Sequence, residues 1–175
     1  AGALVAHQMG PLMGLALSAV TGSPRFFLRM LASFAVAGLL VAVTSGLAGG
    51  LAPSSESPFL LAHGHTELNL IAFGLVLLGA GFLAYYLARE ERLAPLAGAA
   101  VAYELFLPLG AVAIGLLRAE PDLWQGAALT FALHLAWAIV VAVAVLAALG
   151  FRPLTGASRS LAAAMALMGL VAILS

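Results

Sequence analysis

The feature that most restricts this chain is a series of long apolar runs separated by short polar breaks. The runs cover about residues 1–20, 26–51, 58–88, 94–117, 122–150 and 157–175. A helix needs about 20 apolar residues to cross the hydrocarbon core of a bilayer. The breaks between the runs, "TGSPR", "APSSESP", "AREERLAP", "RAEPD" and "FRPLTGASR", hold Pro, Gly, Ser and nearly all the charge, which is turn chemistry. Inside lipid a backbone must satisfy its own hydrogen bonds, so each run is expected to be a helix. A membrane barrel would instead show short segments of alternating polarity. Only 8% of the residues are charged, against about a quarter in a soluble domain. The expectation is an all-α, polytopic bundle of six transmembrane helices forming one domain over residues 1–175. The opening "AGALVAHQMGPLMG" lacks the basic leader of a signal peptide and reads as the first span itself.

Arginine placement sets the expected direction. Arg25, Arg29, Arg89, Arg92, Arg152 and Arg159 lie around the first, third and fifth breaks, and only Arg118 lies at an even one. The odd loops are therefore expected in the cytoplasm, with both termini on the outer side of a bacterial inner membrane. The formal net charge is zero, so no basic face points to nucleic acid. The chain has no cysteine, which excludes disulfides, iron–sulfur clusters and thiolate metal sites. Any metal ligand must be His, Met or carboxylate. No HExxH, GxSxG or phosphate-loop pattern is present.

The four histidines all fall in odd runs: His7, His63 and His65, and His134. Each lies in the first half of its run. At about 1.5 Å per residue, His7 and His65 sit roughly 10 Å below the outer surface and His134 roughly 18 Å below it. In "LLAHGHTELNLIAFG" a continuous helix would set His63 with Glu67 on one face and His65 with Asn69 on another, because residues four apart share a face. His63 is then either solvated at the interface, paired with Glu67, or part of a second metal site. His65, His134 and His7 read as ligands through neutral imidazole or as histidines hydrogen-bonded to a neighbouring helix. Thr130 and Trp137 share the face of His134. Tyr103 and Glu104 fall near the middle of the fourth run, with Pro108 one turn later. A carboxylate at that depth is either protonated and hydrogen-bonded or part of a proton route. The methionines read as packing, and the glycine-rich runs as close helix contacts.

From Phe26 to about Leu117 the chain resembles the first three helices of haem-copper oxidase subunit I, the superfamily that includes nitric oxide reductases. The resemblance rests on "RFFLRMLASFAVAGLLVAVTSGL", a short outer loop, and "LLAHGHTELNLIAFGLVLLGAGFLAYYLARE". In that family a histidine followed four residues later by Asn opens the second helix and is an axial haem ligand, which implies that role for His65 with Asn69 behind it. The family's three-histidine copper site and high-spin haem ligand have no counterpart, so no complete oxygen-reducing centre is expected and an oxidoreductase activity stays open. The resemblance implies a b-type haem protein for electron transfer or O₂/NO binding, with His65 as one ligand and His134 or His7 as the other. Asn69, Glu67, Thr130 and Trp137 would stand around the haem. Partners would be lipid, a quinol or protein redox partner, and a second copy of the chain. A rival reading gives the same histidines, with Glu67, to copper or another divalent ion in a metal-binding or nitric-oxide-responsive protein. A further rival is a proton-coupled transporter or channel using Glu104 and Tyr103. In the last, the polar residues only fix helix packing.

Overall fold

The computed structural model describes residues 9–51, 63, 64, 66, 69–90 and 95–151. These form five helices: α1 Met9–Thr21, α2 Pro24–Leu51, α3 Leu70–Glu90, α4 Pro95–Leu117 and α5 Pro121–Ala148. The helices α2 to α5 are each long and apolar enough to cross a membrane. The protein is thus an all-helical, multi-pass membrane protein. The expected sixth span, 157–175, and the first eight residues lie outside the described residues.

The helix ends follow from the breaks. Gly22 takes a left-handed φ of 75°, and its N–H and that of Ser23 both donate to the Ser18 carbonyl. This closes α1 as glycine does where a Cβ would be strained. Ser23 then starts α2: its carbonyl accepts from the Phe27 N–H, its hydroxyl lies 3.4 Å from the Phe26 N–H, and Pro24 follows at the first helical position. There Pro loses nothing, because that N–H has no intrahelical partner. Pro95 and Pro121 open α4 and α5 in the same way. At the far end of α2, Arg118 donates from Nε (3.2 Å) and Nη2 (2.7 Å) to the Gly49 carbonyl. That satisfies one of the acceptors a helix C-terminus leaves open.

α4 is the hub and packs on every other described helix, while α2 rests mainly on α1 and α4. Neighbour pairs fix the directions. Phe34 stacks on Phe106 and Gly38 faces Leu109, so α2 and α4 run parallel. Gly79 faces Val101 and Gly115 faces Trp124, so α4 is antiparallel to α3 and α5. A Cβ on Gly79 would lie 2.5 Å from Val101 Cγ2. The missing side chain is what lets these two helices approach, as small residues do in membranes. The outer face of α2 is apolar and exposed, with Leu39 64% accessible, as a lipid-facing surface must be.

α1 is apolar all round and almost wholly buried: Met9, Leu12, Met13 and Ala16 are at most 1% exposed. A helix without a polar face belongs in the core. Its 13 described residues reach about 20 Å, short of a full crossing. The methionines Met9 and Met13 do pack in this core.

Two expectations about the third run need correction. It is not one continuous helix: α3 begins at Leu70. Gly64 is in a turn, Thr66 in a bend, and Asn69 stands outside the helix. Asn69 Oδ1 accepts the Ile71 N–H at 2.8 Å, the bond of a helix N-cap. The apolar run hides this start because lipid-compatible residues flank it on both sides. Gly64, Thr66 and Asn69 thus interrupt the continuous helix expected across this stretch; His65 and Glu67, and the faces they were expected to share, lie outside the described residues.

Candidate functional site

α4 and α5 bring two of the anomalous ionisable residues together. His134 is 2% exposed, near the middle of α5 and about 20 Å along the helix from Pro121. Glu104 occupies the equivalent depth on antiparallel α4. The His134 Nδ1–H donates to the main-chain carbonyl of Glu104 at 3.2 Å. A carbonyl only accepts, so this bond places the proton on Nδ1 and leaves Nε2 as a bare acceptor.

The carbonyl is free because of Pro108. In an α-helix the Glu104 carbonyl would accept the N–H four residues on, and proline has none. Pro108 lies inside α4, so a backbone acceptor opens toward α5. The sequence thus builds a fixed imidazole tautomer from a helix defect. His134 Nε2 has no hydrogen-bond partner. Phe73 of α3 stacks on the ring, centroids 5.9 Å apart, and holds it from the other side.

His134 and Glu104 line one cavity of about 230 Å³ with Thr130, Asn69, Ile71, Ala72, Leu75 and Gly64. Thr130 lies one turn from His134 on α5 and is 3% exposed. The cavity therefore runs from the 63–69 segment at one end of the bundle to His134 near its middle. Gly126 sets the close approach at the entrance: a Cβ there would lie 2.8 Å from the Thr66 carbonyl oxygen.

The other expected site residues are distributed as follows. His63 lies at the entrance, half exposed, with Nε2 3.8 Å from Glu120 Oε2. Its described ion-pair partner is thus a residue of the α4–α5 turn. Asn69 both caps α3 and lines the cavity. Trp137 packs edge-on against Phe73, with its Nε1 buried and unpartnered, but does not line the cavity. Tyr103, beside Glu104 in sequence, is 54% exposed on the outer face of α4. His7, His65 and Glu67 lie outside the described residues. Among the described residues no three His, Asp or Glu side chains form a group able to hold a metal ion. Pro108 and Phe73 were not among the expected site residues; the Glu104–Pro108 spacing was the signal for the first.

Residues 4–141 match the model of a family described as a domain of unknown function, DUF389. The chain belongs to that family. The match takes in Asn69, Glu104, Thr130 and His134, and also the whole stretch on which the oxidase resemblance rests. No curated protein matches the chain. No solved structure matches it either.

Proposed function

We propose that this DUF389 member is a cell-membrane transport protein that passes protons or small cations through the bilayer, with the Glu104–His134 cavity as its intramembrane station. The observation that carries this reading is the convergence of Glu104, Thr130 and His134, from two spanning helices, on one cavity that reaches toward the bundle's end. Ionisable groups inside a membrane are costly, and they gather where a pathway or a cavity needs them. Broken helical backbone at membrane depth is tolerated where it is buried in protein or lines a cavity, and the Pro108 defect lies one turn from that site. The arginine bias puts the cavity entrance on the outer side of a bacterial inner membrane. Both Arg25 and Arg29 open α2 at the opposite end from Glu120 and His63, which suits that direction.

Reconstituted in liposomes under a potassium diffusion potential, the chain should dissipate an imposed pH or cation gradient. Glu104→Gln should remove most of that flux. Flux no greater than that of empty liposomes would refute the reading.

The oxidase resemblance and the bare Nε2 of His134 support a second reading, a b-type haem with His134 as one axial ligand. The donor fits that role. This cavity of about 230 Å³ is smaller than the about 300–1,000 Å³ of drug-sized ligand pockets, so a porphyrin needs space beyond it. A reduced-minus-oxidised optical spectrum decides it, since a colourless, iron-free protein has no haem.

A further inference from the structure

Resting on the transport reading, we infer that the cavity opens sideways into the outer leaflet between α3 and α4 and takes from it a lipophilic organic cation, an ammonium head on an apolar body. The opening follows from the helix packing. α3 and α4 approach closely at Gly79 and Val101, where a Cβ on the glycine would meet Val101 Cγ2. One turn further out stand Leu75 on α3 and Glu104 on α4, and both line the cavity. The floor belongs to α5, whose Thr130 and His134 are closed off at 3% and 2% exposure. The α3 wall is not closed: Ile71 and Leu75 line the same cavity and are 75% and 47% exposed. A wall that is both cavity lining and outer surface marks an opening in the side of the bundle. Leu70 and Leu78, exposed on the same helix, continue that apolar surface. α3 is one of the spanning helices, so the medium at the opening is hydrocarbon.

Charge selects the ligand. Glu104 lines the cavity, and no Lys or Arg stands among the described lining residues. Arg118 is turned to the end of α2, where it donates to the Gly49 carbonyl. Arg25 and Arg29 at the start of α2 and Arg89 in the last turn of α3 belong to the other end of the bundle. Among the described residues no ion pair holds the Glu104 carboxylate. An ionisable group at membrane depth is costly without a partner, and a bound cation supplies one. Glu120 and Asp122, where the chain turns into α5, add negative charge at the same end, which draws cations toward it. The apolar lining selects further. Ile71, Ala72 and Leu75 offer nothing to an inorganic ion, whereas an organic cation buries hydrocarbon against them. An apolar cavity of about 150 Å³ takes benzene. One of about 230 Å³ therefore has room for a trimethylammonium head and the first carbons of a chain, and the rest of the chain stays in the lipid beside α3.

The test uses the full chain in lipid nanodiscs, with octyltrimethylammonium as the probe and empty nanodiscs as the reference. The probe should bind saturably in equilibrium dialysis. Tetramethylammonium, the same head without the chain, should bind more than about tenfold more weakly. Octyl sulfate, the same chain with the opposite charge, should show no saturable binding. Glu104→Gln keeps the main-chain carbonyl for His134 and should weaken binding of the probe by more than about tenfold. A second readout leaves Glu104 untouched. The chain has no cysteine, so Ile71→Cys carries a single spin label. Oxygen, which dissolves in lipid, should reach that label better than a water-soluble nickel chelate does, and the probe should lower the oxygen contact. A label at Leu39→Cys, on the exposed face of α2, should not respond to the probe. Saturable binding of octyl sulfate as tight as that of the probe, binding undiminished in Glu104→Gln, or a label at Ile71→Cys reached better by the chelate than by oxygen would each overturn the inference. If the probe does not bind while Glu104→Gln still abolishes proton flux, the inference fails and the transport reading stands. If the probe binds as described and the chain passes no flux, the transport reading fails and the cation site stands.

Discussion

His63, next in sequence to the cavity-lining Gly64, and His134, which lines the cavity itself, live in different chemical worlds. His63 stands at the entrance, half exposed, 3.8 Å from a carboxylate that is itself 37% exposed. His134 is at the floor, 2% exposed, gripped through Nδ1 by a backbone carbonyl and stacked by Phe73. At the entrance, water can compete with the carboxylate, so that ion pair is worth little. At the floor there is no such substitute. The ring's proton is placed by a helix defect, and the remaining nitrogen is buried without a partner. Sequence identity is the same at both ends; solvent and neighbouring backbone make the difference.

That comparison can be broken at its floor first. His134→Ala removes the Nε2 donor and orphans the Glu104 carbonyl. Flux through liposomes should fall by about tenfold or more, and unfolding in detergent should be easier by about 1–3 kcal/mol, the usual cost of an unsatisfied buried acceptor. A variant as active and as stable as the wild type would erase the distinction between floor and entrance.

The contact between α5 and Thr66 near the entrance comes next. Gly126→Ala puts a methyl 2.8 Å from the Thr66 carbonyl oxygen. Backbone resists such overlap, so a loss of about 1–3 kcal/mol is expected. The turn should also move off α5. The chain has no cysteine, so a single cysteine introduced at Gly64 reports on this: its labelling rate by a water-soluble thiol reagent should rise in the Gly126→Ala background.

The legible part of the fold was the part governed by local chemistry. The Pro and Gly breaks marked the ends of α2, α4 and α5 to within about two residues, because lipid demands long apolar runs and turns demand special residues. The start of α3 was not legible. Asn69 is a cap, but it sits among leucines, and composition does not distinguish an apolar segment inside a helix from one just before it. For the site, His134 and Glu104 each stood out as ionisable groups at membrane depth. Their meeting did not, since it depends on how α4 and α5 pack thirty residues apart in sequence. The Glu104–Pro108 spacing announced a free carbonyl without naming its acceptor's partner. For His63 the sequence left solvation, a pair with Glu67 and a second metal site open; the nearness of Glu120 across the fold was not legible in it, because it depends on how the chain turns between α4 and α5.

Smaller effects sharpen the entrance side. Asn69→Ala removes the cap on the Ile71 N–H and should destabilise the protein by about 1 kcal/mol, read by denaturant unfolding of the helical signal. Its flux should fall less than that of His134→Ala, because Asn69 Oδ1 serves the helix. The smallest change is expected from His63→Ala or Glu120→Gln. An exposed ion pair contributes less than about 1 kcal/mol, so stability should be unchanged within error. A large loss in either variant would mean that the entrance is as tightly organised as the floor.

The central claim is that the fold holds His134 with its proton on Nδ1, donated to the Glu104 carbonyl, and a buried Nε2 without a partner. Nitrogen-15 magnetic resonance of histidine-labelled protein in lipid tests it most directly, with His134 assigned by its disappearance in His134→Gln. The account predicts a protonated Nδ1 and an unprotonated Nε2. A His134 whose Nε2 carries the proton, with Nδ1 bare, would contradict it.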